Sequence, residues 1–154
     1  MKFTHALDLS YTFDATRKGA KYTIDGQHWL NAGEFLEAAA KAAHGLDPAK
    51  DANTRFDKGS DVPEFHASVK SGKASLTNMQ LADTFEASVA AYFEQVASSE
   101  FWYVTQLDDM LVIYKMNATK FERFVRKFAK LNERGVLRFA TTSSKMLAWL
   151  DANA

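Results

Sequence analysis

The chain has 154 residues, 47% hydrophobic and 25% charged, with 19 basic side chains balancing 19 acidic ones, which suits one soluble domain with a real core and argues against a general nucleic-acid coat. It has no cysteine, and its four histidines show no HExxH spacing, so disulfides, thiolate chemistry and the usual zinc sites are excluded and any metal must rest largely on oxygen ligands. No apolar run approaches the roughly 20 residues that span a bilayer, and no secretion signal is legible at the N-terminus, so the expectation is a cytoplasmic protein without a membrane partner.

In chain order, residues 1–30 carry two β-prone runs, ALDLSYTF and AKYTIDGQHW, around an Asp25-Gly26 turn signal, and predict short strands or an ordered arm. Asn31 precedes AGEFLEAAAKAAHGL, where helix formers set Phe35, Leu36, Ala39 and Ala42 at helical spacing until Gly45 and Pro48 stop the run; this predicts a helix over 32–44. A polar loop leads to a short strand near Thr54–Asp57, and Phe65–Ser71 forms the next strand. Thr77 and Asn78 are competent caps for a helix over 79–97, whose apolar face is Leu81, Phe85, Val89, Tyr92, Phe93 and Val96.

FWYVT (101–105) and MLVIY (110–114) flank Asp108-Asp109 and predict an apolar hairpin buried in a sheet. Asn117 or Thr119 caps a third helix, 119–132, with Phe121, Phe124, Val125, Phe128 and Leu131 inward and Gly135 beyond its end. VLRFATT is one more short strand, and Ser143 or Ser144 caps a final helix, KMLAWLDA. The fold class is therefore α/β or α+β: a single mixed-sheet domain spanning 1–154. Strands 65–71, 101–105 and 110–115 share its sheet, flanked by the helices 32–44 and 79–97.

Charge is distributed unevenly. Between Lys115 and Arg138 eight basic residues face only Glu122 and Glu133, a net charge of +6. Lys120, Arg123, Lys127, Lys130 and Arg134 recur at spacings of three and four, which on a helix makes a cationic ridge suited to the phosphates of a polyanion. Trp102, Tyr103 and Trp149 have rings that can stack bases, but aromatics in such runs are mostly core.

GSDVPEFHASVKS, residues 59–71, places Asp61, Glu64 and Lys70 within ten residues. As a plain surface hairpin it would turn Phe65, Ala67 and Val69 to the core and its lysine to water, with the acids capping the turn. As a site it supplies acidic oxygens for a hard cation, Mg²⁺ or Mn²⁺, and a lysine to orient attacking water or offset phosphate charge. Glu34 and Glu37 on the first helix offer a further carboxylate. His66 alternates with Phe65 and Ala67 and is expected on the face of Ser68 and Lys70, as a secondary proton carrier beside His28. The following loop mixes Lys73 with Ser71, Ser75 and Thr77, a composition suited to phosphate contacts.

On these residues, over roughly 31–106, the chain resembles the PD-(D/E)XK nuclease superfamily with its restriction-endonuclease-like core. There a helix precedes a hairpin bearing an aspartate and a terminal (D/E)-x-K. The resemblance implies Asp61 as metal-binding aspartate, Lys70 as catalytic lysine, and Glu37 or Glu34 as the acid from the leading helix, with Asp61, Glu64 and Glu37 as metal ligands. Ser68 stands where the family has an acid, so either Glu64 substitutes, or Asp57 serves as the aspartate, or the fold binds without cutting. The implied function is a metal-dependent nuclease or nuclease-like nucleic-acid-binding protein, with DNA preferred over RNA. The alternative is a non-enzymatic inhibitor or adaptor of a phage or other mobile element, working through a protein partner or as a homodimer. A toxin domain acting on RNA is a third reading.

Overall fold

A computed structural model describes residues 1–6, 12–14, 21–24, 27–29, 32–48, 60–77, 79–108 and 110–154; for 12–14, 21–24 and 27–29 the description is of the backbone. In chain order these contain β1 (Lys2–Ala6), β2 (Thr12–Asp14), β3 (Lys21–Ile24), β4 (Gln27–Trp29), α1 (Ala32–Ala43), a 3₁₀ turn (Pro63–Phe65) and β5 (Ala67–Lys70). Then follow α2 (Phe85–Gln95), β6 (Glu100–Leu107), β7 (Met110–Asn117), α3 (Ala118–Phe128), β8 (Ala129–Leu131), β9 (Leu137–Phe139) and α4 (Ser143–Ala152). The chain is thus one α/β domain. Its main sheet is mixed, in the order β1-β7-β6-β5, and β2-β3-β4 and β8-β9 form two smaller antiparallel sheets.

The β6-β7 hairpin runs in register from Glu100↔Asn117 to Leu107↔Met110, turning at Asp108, whose φ is 55°. Aspartate tolerates that left-handed region better than most residues. Both strands read as nearly continuous apolar runs because both faces of the sheet are covered. One face presents Ala67, Val69, Trp102, Val104, Leu111 and Ile113 to α1, which docks through Phe35 and the small side chains Ala38, Ala39 and Ala40. The other presents Phe101, Tyr103, Val112, Tyr114 and Met116 to α2, α3 and α4. Phe121 and Phe124 of α3 are fully buried there, and Phe101 stacks on Phe121 at 4.4 Å between ring centres. Truncating either α3 phenylalanine to alanine would cost about 3–5 kcal/mol. β5 runs parallel to β6, and a parallel neighbour needs a crossover, which α2 supplies.

Several boundaries differ from those the sequence predicts. The second helix begins at Phe85 rather than at residue 79, because the Thr84 hydroxyl accepts the Ala87 N–H and caps it. Thr77 instead uses its hydroxyl to accept the Leu137 N–H. The third helix ends at Phe128, not 132: Asn132 Oδ1 accepts the N–H groups of Arg134 and Val136, Gly135 takes φ 76°, and the resulting turn draws Ala129–Leu131 into a hairpin with Leu137–Phe139. That tertiary pairing outweighs the helical periodicity of Leu131. Phe65 lies in the 3₁₀ turn, 37% exposed, so the strand begins at Ala67.

The final helix starts at Ser143 with Thr142 before it. The expected strand near Thr54–Asp57, the turn positions Asp25-Gly26 and Asp109, Asn31 ahead of the first helix and the cap candidate Asn78 lie outside the described residues. No helix among the described residues is long and apolar enough to cross a membrane.

Candidate functional site

β5 is the last strand of the main sheet, and the site is built around it. Strand alternation sends Ala67 and Val69 toward α1 and leaves Ser68 and Lys70 on the face of Phe101 and Tyr103, their partners across the β5-β6 ladder. The preceding turn closes on the strand through the reciprocal backbone pair Val62 and Ala67. It brings Asp61 alongside, where its Oδ2 accepts the Val69 N–H at 2.8 Å. Asp61 is thereby fixed on β5 next to Lys70.

Glu37, on α1, lies within electrostatic range of the same groups. Burial, and after it the Asp61 carboxylate, pushes the Glu37 carboxyl up to about 7 against the opposing pull of Lys41 and Lys70. Lys41, one turn on and buried, lies 3.4 Å from Glu37. Burial lowers the Lys70 ammonium, and Asp61 and Glu37 oppose that fall, so the two carboxylates and the lysine share one electrostatic environment. On the α2 side Tyr92 is buried, and its hydroxyl is raised by burial and then by Asp61.

Of the predicted residues Glu37, Asp61 and Lys70 thus act on one another electrostatically. Of the two acids on the leading helix, Glu37 is the one that senses Asp61 and Lys70, while Glu34 is exposed in the first turn of α1. Glu64 is exposed on the 3₁₀ turn. His66 is a correction: it is not on the strand but in the left-handed conformation at φ 48°, exposed, ahead of β5. Its carbonyl accepts the N–H groups of Ser99 and Glu100, which ties the turn to β6. Asp57 lies outside the described residues and His28 outside the described side chains.

Ser68, the departure from the acid-x-lysine pattern, has a specific occupation. Its Oγ lies 2.6 Å from Ser98 Oγ, which lies 2.9 Å from Ser60 Oγ, and all three serines are buried. This chain of hydroxyls joins the turn before β5 to the segment after α2. Lys41, Tyr92, Ser60 and Ser98 carried no motif in the sequence; only the i,i+4 spacing of Glu37 and Lys41 was a usable signal.

Two carboxylates remain as anionic oxygen donors, and among the described residues no group of three or more His, Asp or Glu side chains is placed to hold a metal ion. Two are enough for magnesium, which commonly takes one or two carboxylates and fills its remaining positions with water and substrate phosphate. The Glu37 carboxyl is raised first by burial and then by the Asp61 charge, and a cation held there would oppose both.

The cationic ridge is also corrected. It is not one helical stripe: Lys120, Arg123 and Lys127 are on α3, Lys130 is on β8 and Arg134 is in the following turn. Lys120 donates to the Asn153 carbonyl, and the Arg123 guanidinium stands 5.8 Å from the centre of the Trp149 ring. Arg126 pairs with Glu86 and Glu122. Lys73, Lys127 and Lys130 are exposed.

No protein-family model, no curated protein and no solved structure matches the chain.

Proposed function

We propose that the chain is a metal-dependent nuclease or nuclease-like nucleic-acid-binding protein of PD-(D/E)XK type, acting at Glu37, Asp61 and Lys70. One observation supports the reading: the buried Lys70 feels the charges of two carboxylates from separate elements, Glu37 on α1 and Asp61, which is held by the Val69 N–H of β5. Asp61, held by the Val69 N–H, and Glu37 would hold Mg²⁺ or Mn²⁺. The ion, when bound, supplies Lewis-acid polarisation of the scissile phosphate and offsets the charge of the pair. Lys70 has a lowered affinity for its proton, which suits Nζ to accept a proton from attacking water. The proton stays in a site whose carboxylates stabilise the ammonium so formed. Lys41 keeps Glu37 aimed from one turn below.

The occupation of Ser68 by Ser98 favours a second reading, in which the same scaffold binds without cutting, as an inhibitor or adaptor. Incubation with plasmid, single-stranded DNA and tRNA, with Mg²⁺, Mn²⁺ or EDTA, separates the two. Metal-dependent cleavage that disappears in Lys70→Ala and Asp61→Asn supports the nuclease, whereas retained binding with no cleavage in either metal supports the binder.

A further inference from the structure

Away from β5, the end of α3, the β8-β9 hairpin and the start of α4 enclose an open cleft of about 620 Å³. Its rim carries Lys127, Lys130 and Lys145, all exposed, and its lining includes the half-buried ring of Trp149. A second cleft of about 280 Å³ continues from it across shared Lys130 and Ala140 to Arg138 and Lys73. Arg138 Nε donates to the Lys73 carbonyl at 2.9 Å, and Lys73 is three residues beyond Lys70. The two clefts adjoin through the shared Lys130 and Ala140 and together make one cationic trough.

Three properties set this trough apart from an ordinary solvated face. Five cations border it and no carboxylate is among the described residues that line it, although the chain as a whole is neutral. Its aromatic floor is packed: the Trp149 ring is 5.6 Å from Phe124 and 6.3 Å from Phe128, centre to centre, with Arg123 beside it. Its larger part has the volume of a pocket for a small organic molecule, so it accommodates a nucleotide unit. Cations tracking a backbone beside an aromatic ring are how proteins hold single strands without reading sequence. A duplex buries the faces of its bases in its own stack and offers none to such a ring.

We propose that this trough is the track for a single nucleic-acid strand, one base of which stacks on Trp149 while Lys127, Lys130 and Lys145 contact its phosphates. This deepens the nucleic-acid reading above and does not depend on cleavage.

The test is titration of the full chain, in EDTA so that no metal-dependent cleavage intervenes, with the oligonucleotide (dT)₁₂ and with a blunt 12-base-pair duplex, following tryptophan emission. (dT)₁₂ should quench emission, and the quench should vanish in Trp149→Phe while affinity stays within about threefold, because phenylalanine still stacks. Trp149→Leu should weaken binding about tenfold. Lys127→Gln with Lys145→Gln should lower the salt slope of log affinity by about 1.4, at roughly 0.7 per phosphate contact for single strands. This pair leaves the ring in place and keeps the proposal testable if Trp149→Leu does not fold.

Unchanged emission, equal affinity and quench with the duplex, or a salt slope indifferent to the two lysines would each overturn the track. Cleavage assayed separately distinguishes the two readings. Binding with the trough's signature but no metal-dependent cleavage leaves the track standing and removes the nuclease, and cleavage indifferent to Trp149, Lys127 and Lys145 does the reverse.

Discussion

Lys70 and Lys115 occupy the same sheet, each opposite an aromatic residue of β6, and burial lowers the ammonium pKa of both. Their surroundings differ in how many carboxylates act on the ammonium and in what packs around it. Lys70 is balanced by the carboxylates Asp61 and Glu37. Lys115 senses one carboxylate, Glu100, and otherwise packs among neutral groups: its Nζ is 4.6 Å from the Trp102 ring centre and 5.3 Å from those of Phe3 and Phe65. It also donates to His44 Nε2 at 2.7 Å, while His44 Nδ1 donates to the Ala40 carbonyl. Aromatic faces and a neutral imidazole satisfy an ammonium in place and tie α1 to β7 and the 3₁₀ turn. Carboxylates do something more. Their charge can be shared with a metal or redirected when a phosphate arrives, so Lys70 is the lysine suited to chemistry and Lys115 the one suited to structure.

The sharpest way to break that contrast is by rate. Lys70→Ala and Asp61→Asn should each lower nucleic-acid cleavage by at least about a hundredfold, with affinity for an oligonucleotide changing less than about threefold. Lys115→Met should leave the rate within about twofold; equal losses from both lysines would erase the distinction.

Stability should invert the order. Lys115→Ala removes a cation from three rings and should cost about 1–2 kcal/mol in urea unfolding, whereas Lys115→Met, which refills the cage with an apolar chain, should cost less.

Acidity separates the two regions with opposite signs. His44 is lowered from 6.5, chiefly by burial, so below that pH the unfolded chain binds the proton more readily and stability should fall as pH falls. Glu37 is raised from 4.5 to about 7, so the folded chain holds that proton more tightly and stability should decline as pH rises across that window. His44→Gln should flatten the acid limb and Glu37→Gln the neutral one in melts followed by circular dichroism. Mg²⁺ should raise the melting temperature of the wild type more at pH 8 than at pH 5, because a protonated Glu37 is a poor ligand.

The hydroxyl chain should matter about as much as Lys115. Ser98→Ala leaves the buried Ser60 and Ser68 without their common partner and should cost about 1–2 kcal/mol, with a smaller loss if Ser68→Ala accompanies it.

Composition and periodicity were enough for the four helices, the β6-β7 hairpin between α2 and α3, and most of the core, but not for β8. A helix at 32–43, the hairpin of β6 and β7, and the inward phenylalanines of α3 are written in local spacing, because each buries a face that the pattern itself defines. Asp61 and Lys70 were legible for a related reason: nine positions apart, they are joined by a turn that closes on itself. What packing alone decided depends on pairings between distant segments. Choosing Glu37 over Glu34 required α1 to be docked on the sheet. Lys41, Tyr92 and Ser98 acquire meaning only where three elements meet.

The end of α3 and the role of Trp149 show the same limit. Residues 129–132 continue a helical pattern, yet hydrogen bonding to Leu137–Phe139 outweighs a few tenths of a kcal/mol of propensity per residue. That switch carries Lys130 off the helix. Trp149, on an amphipathic helix, reads as core from spacing, and it does pack on Phe124 and Phe128. Only the hairpin folding past it leaves the rest of its ring lining a cationic trough, since exposure is a property of what the neighbours cover, not of the residue.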